Sequence, residues 1–259
     1  MPGLRPAIEV KNVGLIYHSP DGETEALRDI SFTVQPKEFV SIVGPSGCGK
    51  STLLSLIAGL LKPTKGTVLV EGQEVEGPSP LVGYMLQQDY LFPWRTVLEN
   101  ALIGLEVLKR KNRATVEYVQ GLLQTYGLGG FENYYPGQLS GGMRQRVALV
   151  RTLATNPEIC LLDEPFGALD YQTRLFIEEE VGRILRENEK TVLLVTHDIS
   201  EAIAMSDRVL VLSNRPARLV AEHAIDLGQE HRSALSARNE AAEFKTYFAA
   251  IWKELDVHA

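Results

Sequence analysis

The sequence predicts an α/β fold: a mostly parallel sheet flanked by helices, with an antiparallel β subdomain at the amino end and a helical insertion in the middle. Three observations predict it. Short apolar runs alternate with helical patterns up to about residue 87 and again after about residue 156. The stretch 88–155 between them carries only helical periodicity. A glycine-rich segment, Gly44-Pro45-Ser46-Gly47-Cys48-Gly49-Lys50-Ser51-Thr52, lies between the apolar run Phe39–Val43 and a helical pattern beginning near Lys50, which is the context of a phosphate-binding loop.

Residues 7–17 and 26–34 read as two strands joined by the polar turn His18-Ser19-Pro20-Asp21-Gly22. In the second, Ile30, Phe32 and Val34 alternate with Asp29, Ser31 and Thr33, so one face is buried. After the glycine-rich loop, Leu53, Leu54, Ile57 and Leu60 share a helical face until Gly59 and Pro63 stop the helix. Strand character returns at 67–70 and 82–86.

Thr96-Val97-Leu98-Glu99 is a capping box, and Val97, Leu98, Ala101, Leu102, Leu105 and Leu108 form one stripe behind it. A second helix carries Val116, Val119, Leu122 and Leu123 and ends near Gly127. A third starts at Ser140 as N-cap and runs to about Ala154, before Asn156-Pro157. Alternation then resumes, with strands at 159–162, 191–196 and 208–212, a helix near 172–187, and another capped by Asp198 with Glu201. The tail after Arg215 reads as polar until Phe244, Phe248, Ile251 and Leu255 mark an amphipathic helix, expected to pack on the chain's own surface.

Composition narrows the function. A chain of 259 residues, 44% hydrophobic, can bury a full core, and its formal charge of -7 with no long basic run disfavours a nucleic-acid partner. No segment reaches 18 uninterrupted apolar residues, and Met1-Pro2-Gly3-Leu4-Arg5 lacks the apolar region of a signal peptide, so a cytosolic location is expected. Cys48 and Cys160 suggest neither a disulfide framework nor a metal cluster, but two reduced thiols. No internal repeat or low-complexity tract is visible.

The glycine-rich loop carries the first chemistry. Gly44, Gly47 and Gly49 permit positive φ and close approach, so consecutive N–H groups can wrap an anion at the start of the following helix. Lys50 would reach the β/γ-phosphates and Ser51 would hold Mg²⁺. A thiolate at Cys48 would gain from the same helix end, which would let oxidation block nucleotide binding; the residue's role stays open between that and a small filler. Asp163, ending the strand at 159–162, is placed to hold Mg²⁺, and Glu164 to orient or deprotonate a water attacking the γ-phosphate.

Leu139-Ser140-Gly141-Gly142-Met143-Arg144-Gln145-Arg146 resembles the signature motif of ABC-transporter ATPase subunits. The resemblance covers nearly the whole chain and implies an ATP-dependent dimer, with Ser140, Gly141 and Gly142 binding the γ-phosphate held by the phosphate loop of a second copy. The residue types agree, because a hydroxyl and free N–H groups at a helix start form an anion site. The resemblance implies a P-loop (RecA-like) core, with the ATPase over 1–215 (core 1–87 and 156–215, helical subdomain 88–155) and a helical tail over 216–259. Tyr17 resembles the aromatic residue that stacks on adenine. Gln87 resembles the glutamine that contacts Mg²⁺ and the attacking water. Gln88 competes for that role, but the six-residue step from Gln87 to Pro93 fits the family better. Phe166-Gly167-Ala168-Leu169-Asp170 looks like the loop that communicates across the dimer through Asp170, and His197 like the switch histidine that senses the γ-phosphate.

Met143 departs from the commoner glutamine; the same residue, with Leu91-Phe92-Pro93-Trp94 and Asn214-Arg215-Pro216, resembles the nitrate/sulfonate/taurine import group. The implied protein is a Mg²⁺- and ATP-dependent ATPase on the cytoplasmic face of the membrane. It would energise a separate permease fed by an external solute-binding protein, as a homodimer or pseudo-dimer. Alternatives are an ABC ATPase serving an unrelated solute, one acting on nucleic acid or the ribosome, a GTPase, and a non-catalytic partner subunit. The chain shows no paired ATPase domains, coiled-coil insertion or basic patch, and no Asn-Lys-x-Asp to read guanine. Glu164 and His197, which a non-catalytic subunit ordinarily lacks, are both present.

Overall fold

The computed structural model describes residues 5–20, 22–228 and 243–257. Strands β1 (Ile8–Ser19) and β2 (Gly22–Val34) pair antiparallel, with register shifts between Val10 and Val13 and again on either side of Leu15. Such bulges bend and twist a long ribbon. Strand β3 (Phe39–Val43) feeds the phosphate loop and helix α1 (Lys50–Ile57). Strands β4 (Lys65–Val70) and β5 (Gln73–Glu74) then return to the ribbon and complete an antiparallel sheet in the order β2-β1-β4-β5. Leu60, assigned from sequence to the buried face of α1, lies beyond the helix end and is 54% exposed.

Next come strand β6 (Val82–Met85) and helices α2 (Val97–Val107), α3 (Arg113–Thr125) and α4 (Gly141–Ala154). The α2 capping box is reciprocal: Glu99 N donates to Thr96 Oγ1 at 3.3 Å and Thr96 N donates to Glu99 Oε2 at 2.8 Å. Ala101 and Leu105 of α2, Leu123 of α3, and Val147 and Val150 of α4 share one core, which joins the main sheet through Leu162.

The chain continues through β7 (Ile159–Asp163), α5 (Tyr171–Glu187), β8 (Thr191–Val195), α6 (Ile199–Met205) and β9 (Arg208–Leu212). It closes with β10 (Leu219–Ala224) and α7 (Phe244–Val257). The second sheet runs β10-β9-β3-β8-β7-β6, parallel except for β10. Every residue of β3, β7 and β8 is buried, as strands covered on both faces require.

Two strands among the described residues escaped the sequence reading. The two residues of β5 are too few to show a period. Strand β10 lies in the stretch read as a polar tail; as an edge strand with no buried residue, it lacks the alternation that reveals a strand. Helix α7 buries Phe244 and Ile251 in a cluster with Ile203 of α6 and Val211 of β9. Among the described residues, no helix is long and apolar enough to cross a membrane.

Candidate nucleotide-binding site

Parallel strands place their ligands beyond their carboxyl ends. Five neighbouring strands, β9, β3, β8, β7 and β6, therefore present to one edge the segments that follow them: Arg215, the phosphate loop, His197, Asp163 with Glu164, and Gln87. A cavity of about 670 Å³ opens there, formed by Ser46, Gly47, Gly49, Lys50, Ser51 and Thr52 of the loop together with Gln87, Glu164, His197 and Arg215.

The loop is shaped by what lies behind it. Gly49, the N-cap of α1, has φ +127°, and a Cβ there would meet Leu27 Cδ2 at 2.9 Å and Ala26 O at 3.2 Å. Only glycine fits, because β2 backs the loop directly. Gly44 is a correction to the sequence reading: it does not have positive φ, and its requirement is space, since a Cβ would stand 3.0 Å from Cys48 Sγ and 3.1 Å from Leu212 O. Lys50 is buried and donates from Nζ to Gly44 O at 2.8 Å and Pro45 O at 2.9 Å. The lysine is thus held inside the curve of the loop.

Of the two readings of Cys48, burial favours the small filler. Its side chain is 1% exposed, and burial pushes its thiol above the ordinary value, against the pull of Lys50. The thiolate that oxidation would need is disfavoured. Cys160 in β7 is fully buried, with its thiol pushed up to about 12 by burial.

Asp163 is buried at the end of β7, near Ser51 of the loop, and does not line the cavity. Burial raises its carboxyl above the ordinary range, and the neighbouring Glu164 charge adds to this. The Ser51 hydroxyl, Lys50 and Tyr84 pull the other way. The Tyr84 hydroxyl is itself pushed up to about 12 by burial.

Glu164 follows with φ +48°, unusual for a residue with a side chain. The turn aims its carboxylate into the cavity, where Gln87 Nε2 donates to Oε2 at 3.2 Å and His197 Nδ1 lies 3.3 Å from the same oxygen. An acid held between an amide and an imidazole beside a phosphate loop can accept a proton from a water at the terminal phosphate. Tyr17, 42% exposed near the end of β1, stands outside the cavity lining, with its hydroxyl 3.2 Å from Thr52 Oγ1.

The residues of the octapeptide lie elsewhere. Ser140 caps α4, its hydroxyl accepting from Met143 N at 3.2 Å, and Asp170 caps α5, accepting from Thr173 N at 3.0 Å. Ser140, Gly141, Gly142 and Asp170 do not line the cavity. Within one copy, the start of α4 therefore does not share the cavity with the start of α1.

The ABC transporter family matches residues 27–167. The chain belongs to that family. Its relatives span nearly its full length. An uncharacterized ABC transporter ATP-binding protein of Bacillus subtilis is 49% identical over 96% of this chain and 95% of its own. The taurine import ATP-binding protein of Pelagibacter ubique is 44% identical over 82% of this chain and 81% of its own. A dimeric ATP-binding cassette solved in a post-hydrolysis state with ADP and Pi is 34% identical, with a TM-score of 0.76, over 85% of this chain and 99% of the other. The protein is an ATP-hydrolysing cassette.

In this ABC ATPase, two residues of the site went unassigned in the sequence reading. Gln145, buried on α4, donates from Nε2 to Glu164 O at 2.9 Å and accepts from Ala168 N at 2.8 Å through Oε1. Arg215 lines the cavity and donates from Nη2 to Gly47 O at 2.7 Å. Both stand inside motifs quoted from the sequence, but their partners are distant in the chain, and no local pattern names them.

Proposed function

We propose that this chain is the ATPase subunit of an importer for a small anionic solute, working as an ATP-dependent dimer on the cytoplasmic face of a membrane permease. The observation that carries the catalytic part is the cluster of Gln87, Glu164 and His197 beside the phosphate loop. Glu164 is the general base, Gln87 and His197 hold its carboxylate and sense the γ-phosphate, and Lys50 with the loop N–H groups binds the phosphates. Tyr17 stacks on adenine.

The residues suit Mg²⁺. Asp163 is a buried carboxylate near the Ser51 hydroxyl, and Gln87 offers an amide oxygen, an oxygen-only donor set that a hard cation prefers. Ser51, Asp163 and Gln87 would hold the ion, which when bound neutralises phosphate charge.

The dimer is supported by the separation of the octapeptide from the cavity within one copy, and by the dimeric state of the structural relative. Ser140, Gly141 and Gly142 of a second copy would close over the γ-phosphate, and Asp170 would carry the contact back. Residues 88–155 form the permease-facing subdomain, and the exposed Tyr90 and Trp94 offer apolar surface there. The segments 1–87 and 156–215 form the core, with 216–259 as the tail. An external solute-binding protein selects the cargo.

The taurine-importing relative supports an organic sulfonate or another small anion as that cargo. The test is co-purification with a candidate permease, followed by ATPase assays in liposomes with sulfonates, nitrate and unrelated solutes. Stimulation by an anion is expected. Stimulation only by an unrelated solute would overturn the cargo class and leave the ATPase intact.

A further inference from the structure

The loop between β9 and β10 brings a second cation to the nucleotide cavity. Its backbone is held from both sides. Ser213 N donates to Arg218 O at 3.0 Å, and Arg218 N to Ser213 Oγ at 3.0 Å. Ala217 N donates to Ala26 O and Arg28 N to Ala217 O, each at 2.9 Å. The same Ala26 and Leu27 back Gly49 of the phosphate loop. The Arg215 backbone is therefore fixed against the loop without help from its side chain.

That leaves the guanidinium to be explained. It is exposed, it lines the cavity that Lys50 lines, and its Nη2 donates to Gly47 O at 2.7 Å. A guanidinium has five donors in a planar fork matched to phosphate oxygens, and one bond to a surface carbonyl engages a fraction of them. A single neutral carbonyl acceptor contributes less than a charged phosphate oxygen. Bracing Gly47 is a weak use for a cation on a hairpin already tied at Ser213, Ala217 and Arg218.

We infer that Arg215 is a nucleotide-binding residue, whose guanidinium moves from Gly47 O to a phosphate oxygen of ATP. The inference rests on the reading of the cavity as the ATP site. In that cavity Lys50 is bound inside the loop by Gly44 O and Pro45 O, so Arg215 offers positive charge on the exposed side of the same loop. The motif Asn214-Arg215-Pro216, quoted above as a subgroup mark, then acquires a chemical role.

The test is equilibrium titration of the full chain with ATP, at low and at high salt, for the wild type, Arg215→Gln and Arg215→Lys. Melting without nucleotide is recorded in parallel. At low salt Arg215→Gln is expected to weaken ATP about tenfold. Arg215→Lys should recover part of the loss, and the gap should narrow at high salt as the charge is screened. The nucleotide-free Tm should stay unchanged. Unchanged ATP affinity in Arg215→Gln overturns the inference. So does a loss that ignores salt, or one that comes with a lowered nucleotide-free Tm, since either would mark a brace. A wild-type chain that does not bind ATP would instead defeat the reading of the cavity itself.

Discussion

The side-chain amide of Gln145 spans the gap between α4 and the turn of Glu164, donating to Glu164 O and accepting from Ala168 N. Glu164 holds φ +48°, a conformation that persists only where its surroundings fix it. Glu164 N donates to Val195 O at 2.8 Å, so both ends of its peptide framework are tied. Gln145→Leu should release the carbonyl and the Ala168 N–H together. The expected result is a kcat lowered by about tenfold or more, with ATP affinity little changed and a stability loss of about 1–3 kcal/mol. Steady-state ATPase assays beside ATP titration check the split; a loss confined to affinity would contradict it.

Glu164→Gln keeps the side chain's size and removes the carboxylate proposed as the base. Hydrolysis is expected to fall by about 10²–10⁴ while ATP binding survives. A dimer should then accumulate on saturating ATP, visible by light scattering. A mutant that stays monomeric under those conditions would count against the two-copy site.

Buried Glu201 of α6 gives a pH prediction. Its carboxyl is raised well above the ordinary value by burial, with the charges of Glu178 and Asp198 adding, against the Thr196 hydroxyl and Arg174. Below about pH 4.5 both folded and unfolded chains hold the proton, and the group is neutral in its effect. As pH rises above that, the unfolded chain releases the proton first, so Glu201 lowers stability progressively until its folded pKa is passed. Glu201→Gln should raise Tm by a few degrees near pH 8 and by less near pH 5. Thermal melts at the two pH values decide; an equal gain at both would remove the titration from the account.

The two thiols offer a plain check. Cys48 and Cys160 are buried, and burial raises both. A chromogenic disulfide reagent near pH 8 should find neither in the folded chain and both after denaturation. Fast reaction of Cys48 in the folded chain would reverse the account of the loop given above.

Much of the site was legible because its residues follow strands. A strand ending at a glycine-rich turn, at Asp163-Glu164, or at Thr196-His197 tells where the side chains emerge, since parallel strands all deliver to one edge. The capping residues Thr96, Ser140, Asp170 and Asp198 each accept a hydrogen bond from a backbone N–H of the first turn that follows. What escaped was set by tertiary contact. Gly44 needs room because of Leu212, Gln145 matters because of Glu164 and Ala168, and β10 exists because β9 offers it an edge. Cys48 stayed open because the helix start was visible in sequence and the burial of the thiol was not.

The join of Ala217 to Ala26 and Arg28 sets a timetable for the newborn chain. Gly47 leaves the ribosome 168 residues before Arg215, its partner across the cavity. At about 5–20 residues per second that interval is roughly 10–30 s. Throughout it the ribbon that backs Gly49 lacks the clamp that Ala217 supplies, so the back wall of the phosphate loop is among the last parts of the cavity to be completed.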